Sequence, residues 1–283
     1  MEIQTIMVIG AGQMGSGIAQ VCAHAGYNVV LHDLKEELVT KGLANIERNL
    51  SRQVEKGKLE VAEKEAAVGR LKASTDIGNA ASVDVVIEAA IENMDIKKKI
   101  FKQLDEIAKE GAILATNTSS LPITELAAVT NRPEHVIGMH FMNPVPVMKL
   151  VEIIRGLATS DAVYDTIREL SISLGKIPVE VNDFPGFAAN RILMPMINEA
   201  IYTLYEGVAS KEAIYDVMKH GMNHPMGPLT TADFIGWDTC LHIMETLHEG
   251  FGDDKYRPCP LLRKYVNAGW LGKKSGRGFY SYN

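Results

Sequence analysis

Cysteine is scarce in this chain of 283 residues, which contains only Cys22, Cys240 and Cys259. The three lie far apart and follow neither the spacing of a metal site nor that of a redox pair. The pattern predicts no metal site and a reducing compartment. We therefore expect a cytoplasmic protein.

The chain also lacks a long apolar run and an excess of positive charge. No stretch approaches the roughly 20 apolar residues that a membrane span needs, and no basic segment precedes an apolar one at the N-terminus, so no signal peptide is expected. The formal net charge of −6 argues against nucleic acid or an anionic membrane as a partner. A content of 46% hydrophobic and 23% charged residues is typical of a globular protein, and the length suits two domains.

A glycine-rich turn follows the apolar run 6–9 and precedes a stretch with a helical pattern, residues 16–25. Its first glycine allows a tight turn, the second lets the backbone approach a pyrophosphate, and the third lets helix and strand pack closely. The N-terminus of the following helix offers N–H groups and the positive end of a dipole to phosphates. A turn without a ligand is the alternative. The expected contacts to a dinucleotide are Gly10, Gly12, Gln13, Met14 and Gly15.

Asp33 closes the next apolar run, residues 28–32, and lies 23 residues after Gly10. A carboxylate at this place accepts hydrogen bonds from the adenosine ribose and repels a 2′-phosphate. The expected cofactor is therefore NAD. Lys35 lies two residues further on and could help the site to tolerate a 2′-phosphate, so residual NADP use stays open.

Strand-like runs alternate with helix-like runs through residues 1–183, which predicts an α/β fold with a doubly wound, mostly parallel sheet. The expected strands are 3–9, 28–32, 83–88, 112–116, 136–139, 148–154 and 178–181. The expected helices are 13–25, 94–109, 123–129 and 162–174, with a further pair within 36–71 that forms an arm leaving the sheet.

The alternation stops at residues 183–186, of sequence Asp-Phe-Pro-Gly, where we place a domain boundary. Residues 184–283 predict a smaller, all-helical domain. Its first helix, residues 187–205, is apolar on nearly every side and must be covered all round. We therefore expect a partner subunit, in a homodimer or a higher homo-oligomer. The other expected helices are 211–218, 229–249 and 260–268.

Polar clusters follow two expected strands, at residues 117–120 and 140–144. Since ligands of open α/β sheets bind beyond the carboxyl ends of the strands, the clusters predict one shared site. Glu152 lies between apolar neighbours on the expected strand 148–154, so it should point inward and need a partner, for which His140 is the nearest candidate. Such a pair suits removal of a hydride from an alcohol, because the hydroxyl proton needs a base and the carboxylate orients the imidazole. A structural, hydrogen-bonded histidine is the alternative.

Arg48, Arg52 and Lys56 recur at intervals of four within the arm, so on a helix they form one ridge. In a chain of negative net charge, such a ridge suits an anionic ligand. A solvated helix face, with Glu47 and Glu55 supplying ion pairs, is the alternative.

Together these motifs resemble the L-3-hydroxyacyl-CoA dehydrogenase family over essentially the whole chain, and most of all its stand-alone bacterial 3-hydroxybutyryl-CoA dehydrogenases. The resemblance implies a Rossmann-type NAD-binding domain, residues 1–183, and a helical substrate and dimerisation domain, residues 184–283. The motifs that carry it are the glycine turn, 117–121, 140–144, 148–152, 185–187 with 190–191, 224–228, and 272–276 with Tyr280.

The resemblance also implies roles for single residues. His140 would be the catalytic acid and base, with Glu152 as its orienting partner, while Ser119 and Asn190 would hold the reacting oxygens. Because Asn190 lies beyond the boundary, the second domain would complete the site. The positions expected to contact NAD are Asp33, Glu92, Lys97, Ser119, Asn143 and Lys274. Those expected to bind the coenzyme A substrate on the arm are Asn49 and Lys56, with Arg52 on the same ridge.

The implied reaction is reversible hydride transfer between NAD and C3 of a short 3-hydroxyacyl-CoA, most simply the pair 3-hydroxybutyryl-CoA and acetoacetyl-CoA. Butyrate formation and fatty-acid breakdown use this chemistry in opposite directions. Two other functions stay open. One is a non-catalytic homologue that keeps the fold and cofactor, as some crystallins do, and the other is a dehydrogenase of a free sugar acid, which has no use for a basic arm.

Overall fold

The computed structural model describes residues 2–282. Contacts between residues divide the chain into two compact units, with the boundary between Asp183 and Phe184. Each unit has its own core of buried apolar side chains.

An eight-stranded sheet forms the centre of the first unit. Its strands are β1 (Thr5–Ile9), β2 (Asn28–His32), β3 (Leu71–Ser74), β4 (Val85–Glu88), β5 (Ile113–Thr116), β6 (Val136–Phe141), β7 (Leu150–Arg155) and β8 (Ile177–Asn182). They lie in the order β3-β2-β1-β4-β5-β6-β7-β8. Every neighbouring pair is parallel except β6 and β7. The predicted α/β class with a mostly parallel sheet is confirmed, and the winding reverses between β1 and β4, where ligands bind in such sheets.

Helices cover both faces of this sheet, as the continuous apolar runs of its central strands require. They are α1 (Gln13–His24), α2 (Glu36–Glu55), α3 (Val61–Gly69), α4 (Met94–Ile107), α5 (Ile123–Ala127) and α6 (Asp161–Ser173). Short polar side chains begin two of them. Asn93 accepts a hydrogen bond from the Ile96 N–H at the start of α4, and Ser160 accepts one from the Val163 N–H at the start of α6.

The predicted pair of helices within residues 36–71 is present as α2 and α3, but the pair does not stand free of the sheet. Val39, Ile46 and Leu50 form one buried stripe on α2, and they pack in the same core as the strands and α1. The polar face of α2 is therefore fixed relative to the glycine turn.

Two strand predictions need correction. β3 was not expected, because Leu71-Lys72-Ala73-Ser74 has neither an apolar run nor a clean alternation; it forms at the sheet edge by pairing with β2. β6 extends two residues beyond the expected end, to Phe141. His140 therefore lies inside a strand and not beyond its end.

The second unit is helical, with α7 (Ala189–Tyr205), α8 (Lys211–Asp216), α9 (Pro228–Ile235), α10 (Trp237–Phe251) and α11 (Pro260–Asn267). Its core gathers around the fully buried Trp237. The single helix expected over 229–249 is wrong. It is broken at Gly236, whose φ of 104° is incompatible with a continuous helix.

Candidate active site

The glycine turn has the geometry that its spacing predicts. Gly10 has a φ of 100°, and a Cβ there would lie 2.5 Å from the carbonyl oxygen of Ala89. A Cβ on Gly15 would lie 1.7 Å from the carbonyl oxygen of Gly10, so only glycine lets α1 approach the turn. A Cβ on Gly12 would meet nothing within 4 Å. The open space lies where a pyrophosphate would approach the backbone.

A cavity of about 570 Å³ begins at this turn and extends along α2. On one side it is bounded by the turn, the start of α1 and Asp33. On the other side are the polar face of α2 and the segment Asn143–Pro146. The α2 side chains that line it are Leu38, Lys41, Asn45, Arg48, Asn49 and Arg52.

Asp33 lies just beyond the end of β2, at the side of the cavity. Its Oδ2 accepts a hydrogen bond of 2.8 Å from the Ala11 N–H, and its Oδ1 accepts one of 2.7 Å from the Leu34 N–H. The carboxylate therefore braces the glycine turn and still borders the cavity. At the start of α1 no side chain caps the first N–H groups, and the first turn carries no acidic residue. These features fit the pyrophosphate and ribose of a dinucleotide.

His140 and Glu152 face each other across the single antiparallel strand pair of the sheet, where they are direct register partners. Nδ1 of His140 lies 2.8 Å from Oε2 of Glu152. Both side chains are buried, with residue exposures of 5% and 1%. The sequence-based expectation that Glu152 pairs with His140 agrees with this contact. The geometry that produces it, cross-strand register, differs from the expected one.

The loop after β5 is held by Glu92. Oε1 of Glu92 accepts hydrogen bonds from the Thr118 hydroxyl at 2.6 Å and from the N–H groups of Ser119 at 2.8 Å and Ser120 at 3.2 Å. Asn117 connects this loop to β6, because its Oδ1 accepts a 2.9 Å bond from the Phe141 N–H. The backbone around Ser119 is thus fixed beside the strand that carries His140.

A buried network next to this loop was not predicted from the sequence. Nζ of Lys97 donates to both carboxylate oxygens of Glu88, at 2.7 and 2.8 Å, and neither side chain has exposed surface. Glu88 also accepts bonds from the Thr116 hydroxyl at 2.6 Å and the Ala90 N–H at 2.7 Å. Glu92 lies 3.7 Å from the same ammonium. The sequence signal for Glu88 was its place as a carboxylate closing an apolar strand.

Lys97 was expected to contact the cofactor, and the structure instead encloses its ammonium between carboxylates. This placement accounts for Lys97 as a charge partner, and its cofactor contact stays a prediction. Asn143, another expected contact, lines the cavity and accepts a 3.1 Å bond from the Gln13 side chain.

The residues expected to bind coenzyme A differ in whether they line the cavity. Asn49 and Arg52 line the cavity, and Asn49 donates a long bond of 3.5 Å to the Gln20 side chain. Lys56 caps the C-terminal end of α2 and is not among the lining residues. The predicted ridge therefore faces the cavity only in part. Lys41, which no sequence pattern indicated, also lines the cavity.

Asn190 and Lys274 belong to the second unit. Asn190 is a buried residue in the first turn of α7. Lys274 is exposed, and its Nζ lies 2.5 Å from Oδ1 of Asp238 within that unit.

Among residues 2–282 there is no group of three or more histidine, cysteine or acidic side chains arranged to hold a metal ion. Within the same described range, no helix is both long and apolar enough to cross a bilayer.

Comparison with known proteins gives the family of the chain. Residues 5–184 match the family model "3-hydroxyacyl-CoA dehydrogenase, NAD binding domain", and residues 186–282 match "3-hydroxyacyl-CoA dehydrogenase, C-terminal domain". A probable 3-hydroxybutyryl-CoA dehydrogenase of Bacillus subtilis is 63% identical over 282 residues, covering 100% of this chain and 98% of the relative. A 3-hydroxybutyryl-CoA dehydrogenase of Bradyrhizobium diazoefficiens is 56% identical, covering 99% and 96%.

A solved structure gives the same result. The crystal structure of (S)-3-hydroxybutyryl-CoA dehydrogenase from Ralstonia eutropha superimposes with a TM-score of 0.97 at 54% identity. The match covers 100% of both chains.

Proposed function

The chain belongs to the 3-hydroxyacyl-CoA dehydrogenase family, and from this premise we propose that it is an NAD-dependent oxidoreductase of short (S)-3-hydroxyacyl-CoA substrates. The reaction is the reversible interconversion of 3-hydroxybutyryl-CoA and acetoacetyl-CoA. The observation that carries this proposal is the buried 2.8 Å contact between His140 and Glu152 on the same sheet as a glycine turn that fits a dinucleotide.

When NAD is bound, it supplies the group that accepts the hydride from the substrate in the oxidation direction. The chain would hold it with the open backbone at Gly12, the uncapped N-terminus of α1 and the carboxylate of Asp33. Gln13, Asn143 and Glu92 complete the predicted set in the first unit, and Lys274 is the predicted contribution of the second.

His140 handles the proton of the substrate hydroxyl. Glu152 accepts the hydrogen carried by Nδ1, which fixes the tautomer and leaves Nε2 as the nitrogen that exchanges the proton. In oxidation Nε2 takes the hydroxyl proton, and the negative charge of Glu152 stabilises the imidazolium that forms. In reduction the same nitrogen returns the proton to the 3-keto oxygen.

Ser119 and Asn190 are proposed to orient the oxygens of the substrate. The support for Ser119 is the loop in which its backbone is fixed by Glu92. For Asn190 the support is the family resemblance. The handle of coenzyme A, with its phosphates, suits the cations of α2 that border the cavity.

The two other functions that the sequence left open are disfavoured by particular residues. A non-catalytic homologue would have no need to keep a buried histidine–carboxylate pair. A sugar-acid dehydrogenase would have no use for a row of cations along α2.

We also propose a homodimer or higher homo-oligomer in the cytoplasm. Ile192 on α7 is 72% exposed and Phe184 is 55% exposed, which supports contact with a further subunit through the second unit. Cys22, Cys240 and Cys259 are all unpaired and buried, which supports a reducing compartment. Light scattering during size-exclusion chromatography would measure the assembly, and a monomer would contradict it.

A direct assay tests the function. The protein is incubated with acetoacetyl-CoA and NADH, and the decrease of NADH absorbance is followed with a ladder of acyl lengths, with NADPH in place of NADH, and with sugar acids. We expect oxidation of NADH with short 3-ketoacyl-CoA substrates. Absence of turnover with every acyl-CoA would contradict the proposal. A His140→Gln variant controls for a contaminating dehydrogenase.

A further inference from the structure

A buried lysine outside the proposed machinery holds one wall of the cavity. Lys176 lies just before β8 and is 8% exposed. Its ammonium donates hydrogen bonds to the carbonyl oxygens of Val145 and, at 2.8 Å, of Met148. No carboxylate lies within ion-pair distance of it anywhere in the described part of the chain.

Both carbonyl groups belong to the connection between β6 and β7, residues 142–149. This connection joins the strand of His140 to that of Glu152, and its residues Asn143 to Pro146 line the cavity. It is anchored on α1 as well: a Cβ on Gly17 would lie 2.9 Å from the Cβ of Val145. The ammonium therefore ties this connection, which we call the wall segment (residues 142–149), to the start of β8.

The energetics argue that this cation has a use beyond packing. A buried ammonium that meets only neutral carbonyls loses its hydration without the attraction of a counter-charge. Burial lowers the pKa of Lys176 below its ordinary value, while the neighbouring Cys22 acts in the opposite sense. An apolar side chain would fill the same space without that cost, but it would leave the two carbonyl groups without their donor.

We propose that Lys176 is a positioning residue for the dinucleotide: by bonding to Val145 and Met148 it fixes the wall segment that presents Asn143 to the cofactor. It touches neither cofactor nor substrate. Asn143 in turn bonds to Gln13 at the start of α1, so a loosened wall would reduce the order of both side chains at the glycine turn.

The test is direct titration of NADH into the full chain, followed by its fluorescence. We expect Lys176→Met to raise the Kd of NADH about tenfold, since loss of two charge-assisted hydrogen bonds loosens the wall segment and part of that loss is transmitted to the site. Lys176→Arg should recover at least half of the lost affinity. Lys99→Met removes an exposed cation on α4 and should bind NADH as the wild type does.

A coupling experiment separates positioning from general loosening. Asn143→Ala should weaken NADH binding in the wild-type background and have little further effect when combined with Lys176→Met. Wild-type affinity in a folded Lys176→Met protein, or additive effects of the two substitutions, would overturn the proposal.

If Lys176→Met does not fold, Lys176→Gln decides, because it keeps N–H donors without the charge. An intermediate Kd supports the proposal, and wild-type affinity overturns it. The inference rests on one part of the proposed function, namely that the chain binds NAD. NADH binding is measured without acyl-CoA, so an error about the substrate would leave this result unaffected.

Discussion

Two charged regions of the first unit differ in how their charges are satisfied. In the buried network formed by Glu88, Lys97 and Thr116, every charged group has hydrogen-bond partners and no exposed surface. On the cation face of α2, formed by Lys41, Arg48 and Arg52, no side chain lies within 4 Å of a carboxylate of residues 2–282.

This difference separates two uses of charge. A buried, saturated pair has nothing left to offer a ligand, so it fixes backbone: here it holds the ends of β4 and β5 next to the Ser119 loop. An exposed cation that only water satisfies is available to an anion at low cost. The pair of His140 and Glu152 combines both features, because it is buried and takes part in proposed proton transfer.

The largest expected effect comes from breaking the buried network. Lys97→Met leaves the Glu88 carboxylate buried without its counter-ion, which should lower the free energy of unfolding by about 3–5 kcal/mol and the thermal midpoint by roughly 10 °C. Denaturant unfolding and thermal melts measure both. Lys98→Met is the matched control, since the neighbouring Lys98 is partly exposed in its 2.5 Å pair with Glu125 and should cost below about 1 kcal/mol.

A second variant sharpens this test. Adding Glu88→Gln to Lys97→Met removes the unpaired charge and should restore part of the stability. A single Lys97→Met variant as stable as the Lys98→Met control would contradict the distinction between the two regions.

Substitution in the proposed catalytic pair of His140 and Glu152 should change the rate of the reaction and not the stability of the fold. Glu152→Gln keeps the shape of the side chain but removes the charge that stabilises the imidazolium, so kcat should fall by at least about 100-fold. Steady-state kinetics with acetoacetyl-CoA and NADH measure it, and a melt within a few degrees of wild type shows that the fold is kept. Glu180→Gln on β8 is the control, because Glu180 is exposed and its ion pair with Arg155 lies at the surface. A near-normal kcat would contradict the proposed role of Glu152 as the charged partner of His140.

Asp33 lies at the cavity that the cation face also borders, and its charge should set the choice of cofactor. Asp33→Ser removes the repulsion of a 2′-phosphate and also the acceptor of the Ala11 N–H. We therefore expect weaker use of NADH and a rise of about tenfold in the ratio of NADPH to NADH specificity. Parallel measurements of kcat/KM with both cofactors test this. Glu36→Ser, an exposed carboxylate in the first turn of α2, serves as control, and a wild-type preference for NADPH would contradict the assignment.

The local features of the fold could be predicted from the sequence, because short-range patterns cause them. The glycine turn needs positive φ at Gly10 and a close approach at Gly15, and both requirements are visible in residue type alone. The central strands are continuous apolar runs. The edge strand β3 and the break at Gly236 were missed, since the first depends on pairing with β2 and the second interrupts an apolar pattern that continues on both sides.

Contacts between residues far apart in the sequence were harder to predict. Glu152 could be identified as an inward carboxylate, but its place opposite His140 follows from the antiparallel register of β6 and β7, which no spacing encodes. Lys97 could be matched to a family position, but its enclosure by Glu88 could not, because the end of β4 and the start of α4 meet only in the folded sheet. Lys41 was overlooked because a single lysine on a helix has no distinctive pattern.

The cation face gives the smallest expected effect and the most direct test of its availability to ligands. Arg52→Ala should raise the KM for acetoacetyl-CoA several-fold with kcat little changed, since a contact remote from the reacting carbon serves binding in ground and transition state alike. An exposed contact of this type is worth about 1 kcal/mol and weakens with salt.

Lys56→Ala should also raise the KM for acetoacetyl-CoA. Because Lys56 is not among the residues that line the cavity, we expect a smaller increase than for Arg52→Ala. Substrates built on dephospho-coenzyme A should be less affected by either variant, and the KM for NADH should stay constant if the ligand is the coenzyme A handle. Lys99→Ala controls for net charge. If Arg52→Ala and Lys56→Ala both bind acetoacetyl-CoA as the wild type does at low ionic strength, the cation face is a solvated helix surface and the contrast with the buried network loses its functional meaning.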